Sequence, residues 1–121
     1  MKDSARILIV DDEHNTREAM ARYLRLRFNV ATAADGGKAI ELLKHEDFDL
    51  VLTDLWMPEM SGSELAEILA GDERFRSVPV VAVTADTQAV SEAPKRFQGI
   101  LLKPITPESL EKIIREVLKR K

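Results

Sequence analysis

Five polar residues that close apolar runs carry whatever chemistry this chain can do. Asp54 follows Leu50-Val51-Leu52-Thr53, and Asp11 and Asp12 follow Ile7-Leu8-Ile9-Val10. Thr84 follows Val80-Val81-Ala82-Val83, and Lys103 follows Ile100-Leu101-Leu102. An ionised carboxylate at the end of a buried run is costly to desolvate unless it has a charged partner or a task. Three carboxylates gathered within a few ångströms repel one another, and without a counter-charge at least one has a raised pKa. A divalent cation relieves this, and an all-oxygen set without His or Cys suits Mg²⁺. A carboxylate can also attack phosphorus and form an acyl phosphate. Catalysis of that transfer is mainly positioning and electrostatics. Lys103 can supply a point charge to one phosphoryl oxygen and Thr84 a hydroxyl to another. The set reads as a phosphoryl-accepting site with Asp54 as nucleophile.

Those residues need a frame that brings them to one edge. The four apolar runs, together with Phe28–Ala33, read as five strands, the four runs apolar rather than alternating. Helical stretches separate them. Asn15, with Glu18 three residues on, reads as the cap of a first helix whose stripe is Ala19, Met20, Tyr23 and Leu24, with Arg17, Arg22, Arg25 and Arg27 facing water. Asp35-Gly36 reads as a turn, followed by a helix to about His45 with Ala39, Ile40, Leu42 and Leu43 inward. Pro58, Ser61 and Gly62 demand a loop after Asp54. A helix from about Ser63 turns Leu65, Ile68 and Leu69 inward. Thr106 caps the last helix, with Pro107 at its first position, where the missing N–H costs nothing. Between Thr84 and Lys103, Thr87, Val90 and Ser91 favour helix poorly and Pro94 breaks one. A short or irregular helix is expected there, with Phe97 inward. Apolar strands alternating with helices predict an α/β fold, a parallel sheet covered on both faces. In such sheets the working site lies beyond the C-terminal ends of the strands.

The bulk properties agree with one ordinary domain spanning residues 1–121. Net charge is −3 and apolar content 45%, which exclude a disordered chain and give no general attraction to nucleic acid or anionic membrane. There is no cysteine, hence no disulfide framework and no thiolate chemistry. No apolar run approaches the ~20 residues of a membrane span, and the N-terminus lacks a signal-peptide core. A cytoplasmic location is expected.

The pieces Ile9-Val10-Asp11-Asp12, Thr53 to Gly62, Val83-Thr84-Ala85 and Leu102-Lys103-Pro104, in this order and spacing, resemble the receiver domain of two-component response regulators. The resemblance implies a flavodoxin-like (βα)5 three-layer sandwich with strand order 2-1-3-4-5. It implies that Asp54 accepts a phosphoryl group from a histidine kinase or histidine phosphotransfer domain. It implies that Mg²⁺ is held by Asp11, Asp12, Asp54 and the backbone carbonyl of Trp56. Lys103 would pair with the phosphoaspartate, Thr84 would act as a switch hydroxyl, and Lys103-Pro104 would be a cis peptide. Self-association is a further expectation. Ile100 stands where the family usually has Tyr or Phe, so an aromatic rotamer switch is not expected. The Trp-Met-Pro-Glu-Met loop suggests a receiver carried by a hybrid histidine kinase.

Blander readings compete. One strand-end Asp is more often a loop cap than a nucleophile, but five matched positions are not explained that way. Asp11-Asp12-Glu13-His14 could hint at zinc, yet no second His or Cys ligand accompanies it. Trp56 reads most simply as a loop aromatic shielding apolar surface, with a possible role in screening water from an acyl phosphate. His45 and the terminal Lys-Arg-Lys read as helix-end residues. A haloacid-dehalogenase-type phosphotransferase would carry Asp-x-Asp after its first strand. A pseudo-receiver acting only as a binding module would have lost part of the acidic set.

Overall fold

The computed structural model describes residues 4–88 and 97–119. Five strands are present: β1 Arg6–Val10, β2 Asn29–Ala33, β3 Leu50–Asp54, β4 Val80–Thr84 and β5 Gly99–Leu102. Four helices are present among the described residues: α1 His14–Leu24, α2 Gly36–His45, α3 Gly62–Ala70 and α4 Pro107–Lys119. The sheet is wholly parallel, in the order β2-β1-β3-β4-β5. This is the flavodoxin-like arrangement. The expected course of the chain around Pro94 lies outside the described residues. Phe97, just beyond it, is buried as predicted.

Continuous apolar strands make sense because successive side chains point to opposite faces and both faces are covered. Leu8, Val10 and Val51 pack with Leu43 of α2 and Leu65 and Leu69 of α3 on one face. Ile7, Ile9, Leu50 and Leu52 pack with Leu24 of α1 and Ile114 of α4 on the other. The sheet is therefore the middle of three layers, and β3 lies at its centre.

The helix starts differ in detail from expectation. Glu13, not Asn15, caps α1: its carboxylate accepts from the Asn15 and Thr16 amides and from the Thr16 hydroxyl. These bonds hold the Glu13 carboxyl below its usual range. The reason is that the chain turns into helix directly after Asp12, so the cap must fall earlier. Asp35 is a cap as well as a turn residue, accepting from the Lys38 amide at 2.8 Å. Ser61 and Glu64 form a reciprocal capping box at α3. Thr106 bonds the Ser109 amide with Pro107 beginning α4, as predicted.

Two stripe positions were misread. Ala19 is exposed, and Ile68 is 44% exposed. In both cases the apolar stripe is narrower than the run of apolar residues, because Met20 and Leu24, or Leu65 and Leu69, already fill the contact with the sheet. Across the opposite layer, the Tyr23 hydroxyl donates to Glu111 at 2.8 Å and Arg115 to its other oxygen at 2.8 Å. These donors, Arg115 first, pull the Glu111 carboxyl down to about 2. The α1–α4 tie is therefore at full strength above the ordinary carboxylate range and is lost as pH falls towards that value.

Burial separates two leucine-sized side chains sharply. Leu52 has no exposed surface. Leu52→Ala is expected to cost about 2–5 kcal/mol. Ile68→Ala is expected to change stability by no more than about 0.5 kcal/mol. Urea denaturation of both variants checks the contrast, and equal losses would contradict the placement of Ile68.

Candidate functional site

Parallel register brings the strand ends together. Val10 pairs with Thr53, and Asp54 pairs with Val83. Asp11 and Asp54 thus leave adjacent central strands one residue past a matched pair. Thr84 pairs with Leu102, so Lys103 leaves the sheet one residue beyond Thr84. The Lys103 amide donates to the Thr84 carbonyl at 2.8 Å, which extends the ladder to the site. The Lys103-Pro104 peptide is cis, as the sequence led us to expect.

Asp11, Asp12 and Asp54 each offer a carboxylate oxygen within 4.8 Å of the others. Asp11 is fully buried, Asp54 largely so, and Asp12 exposed. Asp11 Oδ1 accepts from the Glu13 amide at 2.9 Å. Its Oδ2 is buried and has no hydrogen-bond partner. A buried oxygen without a partner, on a carboxylate grouped with two others, is an uncompensated arrangement. Lys103 Nζ lies 3.6 Å from Asp54 Oδ1 and supplies one positive charge. Burial raises the pKa of Asp11, with Asp54 and Asp12 adding to the shift and Lys103 and the Glu13 amide opposing it. Burial likewise raises that of Asp54, opposed chiefly by Lys103. The donor set is oxygen only, which fits a hard divalent cation. His14 is not part of the cluster: its Nδ1 meets Arg17 Nη2 at 3.1 Å.

Thr84 is buried, and its hydroxyl oxygen accepts from the Asp86 amide at 3.1 Å. The hydroxyl proton is left to donate elsewhere. Trp56 corrects the sequence reading. The residue is 61% exposed, so most of its surface faces solvent rather than an apolar surface.

Three supporting residues escaped the sequence. Arg17 was expected to face water, yet its side chain is only 14% exposed and Nη1 donates to the Asp11 carbonyl at 2.9 Å. A cation in the first turn of a helix opposes the macrodipole, and that misfit was the available signal. Gly62 read only as a breaker. A Cβ there would lie 2.4 Å from the Asp54 carbonyl oxygen, so the loop can close on β3 only without a side chain. Thr53 donates its hydroxyl to that same carbonyl at 3.0 Å. No sequence signal marks either contact.

The raised carboxyls set a pH dependence. In the fold Asp54 holds its proton to higher pH than in the unfolded chain. Its contribution to stability is therefore complete below the ordinary aspartate value of 3.8 and is lost as pH rises through its folded pKa. Without divalent metal, Asp54→Asn is expected to match the wild type in stability below that value and to exceed it increasingly towards neutrality. Urea midpoints across that range check this, and parallel curves would contradict it.

The comparisons agree with this geometry. The family model for the response regulator receiver domain matches residues 7–115. The chain is 37% identical over 120 residues to the chemotaxis protein CheY of Pseudomonas aeruginosa, covering 95% of this chain and 97% of that one. It is similar in structure to the chemotaxis response regulator CheY4 of Vibrio cholerae, with a TM-score of 0.87 and 29% identity over 95% of this chain and 99% of that one. It is equally similar, at 0.87 and 26% identity, to the receiver domain of the sensor histidine kinase PA1611 of Pseudomonas aeruginosa, solved with a magnesium ion in its active-site cleft. There 97% of this chain and 99% of that one are covered. These likenesses do not favour a haloacid-dehalogenase-type enzyme or a binding module with dead chemistry. The chain belongs to the response regulator receiver domain family of two-component signalling systems, whose members act as phosphoacceptor domains.

Proposed function

We propose that residues 1–121 form one receiver domain in which Asp54 takes the phosphoryl group from a phosphohistidine of a histidine kinase or histidine phosphotransfer domain. The observation that carries this is the cluster of Asp11, Asp12 and Asp54 oxygens within 4.8 Å, with Lys103 beside Asp54. An Asp54 oxygen attacks phosphorus, the P–N bond breaks, and the imidazole keeps the electron pair. Lys103 then balances charge on the new acyl phosphate. The Thr84 hydroxyl, already accepting from Asp86, turns its proton to a phosphoryl oxygen. Ile100 has no ring to swing, so the change is relayed through loop packing rather than an aromatic rotamer.

Asp11, Asp12, Asp54 and the Trp56 carbonyl would hold Mg²⁺, and the orphan Asp11 Oδ2 supports this. The magnesium ion in the cleft of the similar PA1611 receiver supports the same assignment. When bound, such an ion neutralises carboxylates and draws charge from phosphoryl oxygens. The domain takes part in its own phosphoryl transfer and hydrolysis and turns over no separate substrate. A groove between α1 and α4, lined by Ala19, Met20, Tyr23, Ile105, Pro107 and Leu110, opens at this end of the sheet. Its apolar walls suit an amphipathic helix of the phosphodonor. No helix among the described residues is long and apolar enough to cross a membrane.

Treatment with acetyl phosphate and Mg²⁺ is expected to give one hydroxylamine-labile adduct, mapped to Asp54 and absent from Asp54→Ala. Full labelling of that variant would sink the assignment. Mg²⁺ at a hundredfold excess over Kd is expected to stabilise the wild type by about 2.7 kcal/mol. Asp12→Asn should weaken Mg²⁺ binding and raise metal-free stability. Thermal melts that do not distinguish the two proteins, with and without Mg²⁺, would contradict a shared site.

A further inference from the structure

Arg17 is the one charged side chain of α1 that turns back onto the acidic loop. Its Nη1 donates to the Asp11 carbonyl at 2.9 Å, and its Nη2 meets His14 Nδ1 at 3.1 Å. Its Nε is 3.9 Å from Glu18. The same loop is fixed at two other points. The Asp11 amide donates to the Ala33 carbonyl at 3.2 Å, and the Glu13 amide to Asp11 Oδ1 at 2.9 Å. The first of these sets the entry of the loop, and the second sets the Asp11 carboxylate. Neither fixes the Asp11–Asp12 peptide between them. Arg17 does, by gripping its carbonyl oxygen.

We infer that Arg17 is a positioning residue for the acidic site, holding the Asp11–Asp12 peptide so that the Asp12 carboxylate converges on those of Asp11 and Asp54. Asp12 needs such help more than its partners. It is exposed, sits on no strand, and has no hydrogen bond of its own in the cluster to hold it. A planar guanidinium has several donors in fixed directions, so it can hold a carbonyl and an imidazole nitrogen together. A lysine ammonium is a flexible point charge and cannot hold that pair in one plane.

This role rests on the Mg²⁺ reading above, and the test separates the two. Calorimetric titration with MgCl₂ is run on the wild type, Arg17→Gln, Arg17→Lys and Asp12→Asn, with the metal-free urea midpoint measured for each. Second-sphere support of a metal site is typically worth about 10–100-fold in affinity. Arg17→Gln is expected to weaken Mg²⁺ by at least about 10-fold. Arg17→Lys should also bind more weakly than wild type while keeping the wild-type urea midpoint, since it retains the charge and the aliphatic stem. Wild-type affinity in either Arg17 variant overturns the role. If Arg17→Gln loses the fold, Arg17→Lys decides alone. Absence of Mg²⁺ binding by the wild type itself would overturn the metal reading, and the Arg17 role with it.

Discussion

Three carboxylates at the C-terminal edge of the sheet repel one another, and two of them are largely withdrawn from water. Asp11 has no exposed surface and Asp54 little. Each such group loses hydration, and each adds to the cost of the others. Lys103 returns one positive charge at 3.6 Å, which leaves the set net negative. The site is thus held in an unfavourable state that a divalent cation, or protonation, relieves. The rest of the structure can be read as the means of keeping it there. A strand end is suited to that purpose, because a ladder of hydrogen bonds on both sides prevents the backbone from retreating. β1 and β3, which carry the three carboxylates, each have a strand on both sides and helices above and below.

A second tier of contacts acts on the backbone next to these side chains. The Asp54 carbonyl takes the Thr53 hydroxyl on one side and lies against Gly62 on the other. The Leu55 amide donates to the Val83 carbonyl, and the Gly62 amide to the Leu55 carbonyl. The peptide after Asp54 has no slack as a result. On β1 the loop is closed by Ala33, by the amide of Glu13 and by the guanidinium of Arg17. Glu13 directly follows Asp11 and Asp12 in the chain. Its carboxylate is consumed by capping α1. Removing it from the cluster keeps the charge at three carboxylates.

Much of this was legible in the sequence because long apolar strands leave few alternatives. Four runs ending in Asp, Asp, Thr and Lys could only be placed together on one edge of a parallel sheet, and the structure places them there. Fully buried strand residues such as Leu50 and Leu52 were readable for the same reason. The helix starts were less readable. A cap is chosen by where the preceding loop ends, and that depends on contacts such as Asp11 with the Glu13 amide. Ile68 and Ala19 show that an apolar residue on a helical stripe need not be buried once its neighbours fill the space. Trp56 shows that a large aromatic beside a site need not cover it. Arg17 and Gly62 act through backbone carbonyls, which leave almost no trace in residue identity.

The central claim is that the carboxylates form one electrostatic unit rather than three neighbouring residues. A double-mutant cycle of Asp11→Asn and Asp54→Asn, read as metal-free stability at neutral pH, tests it most directly. Each substitution relieves the same repulsion, so the double variant should gain less than the sum of the single gains, with a coupling of about 0.5–3 kcal/mol. Strict additivity would mean that the two carboxylates do not feel each other, and would contradict the account.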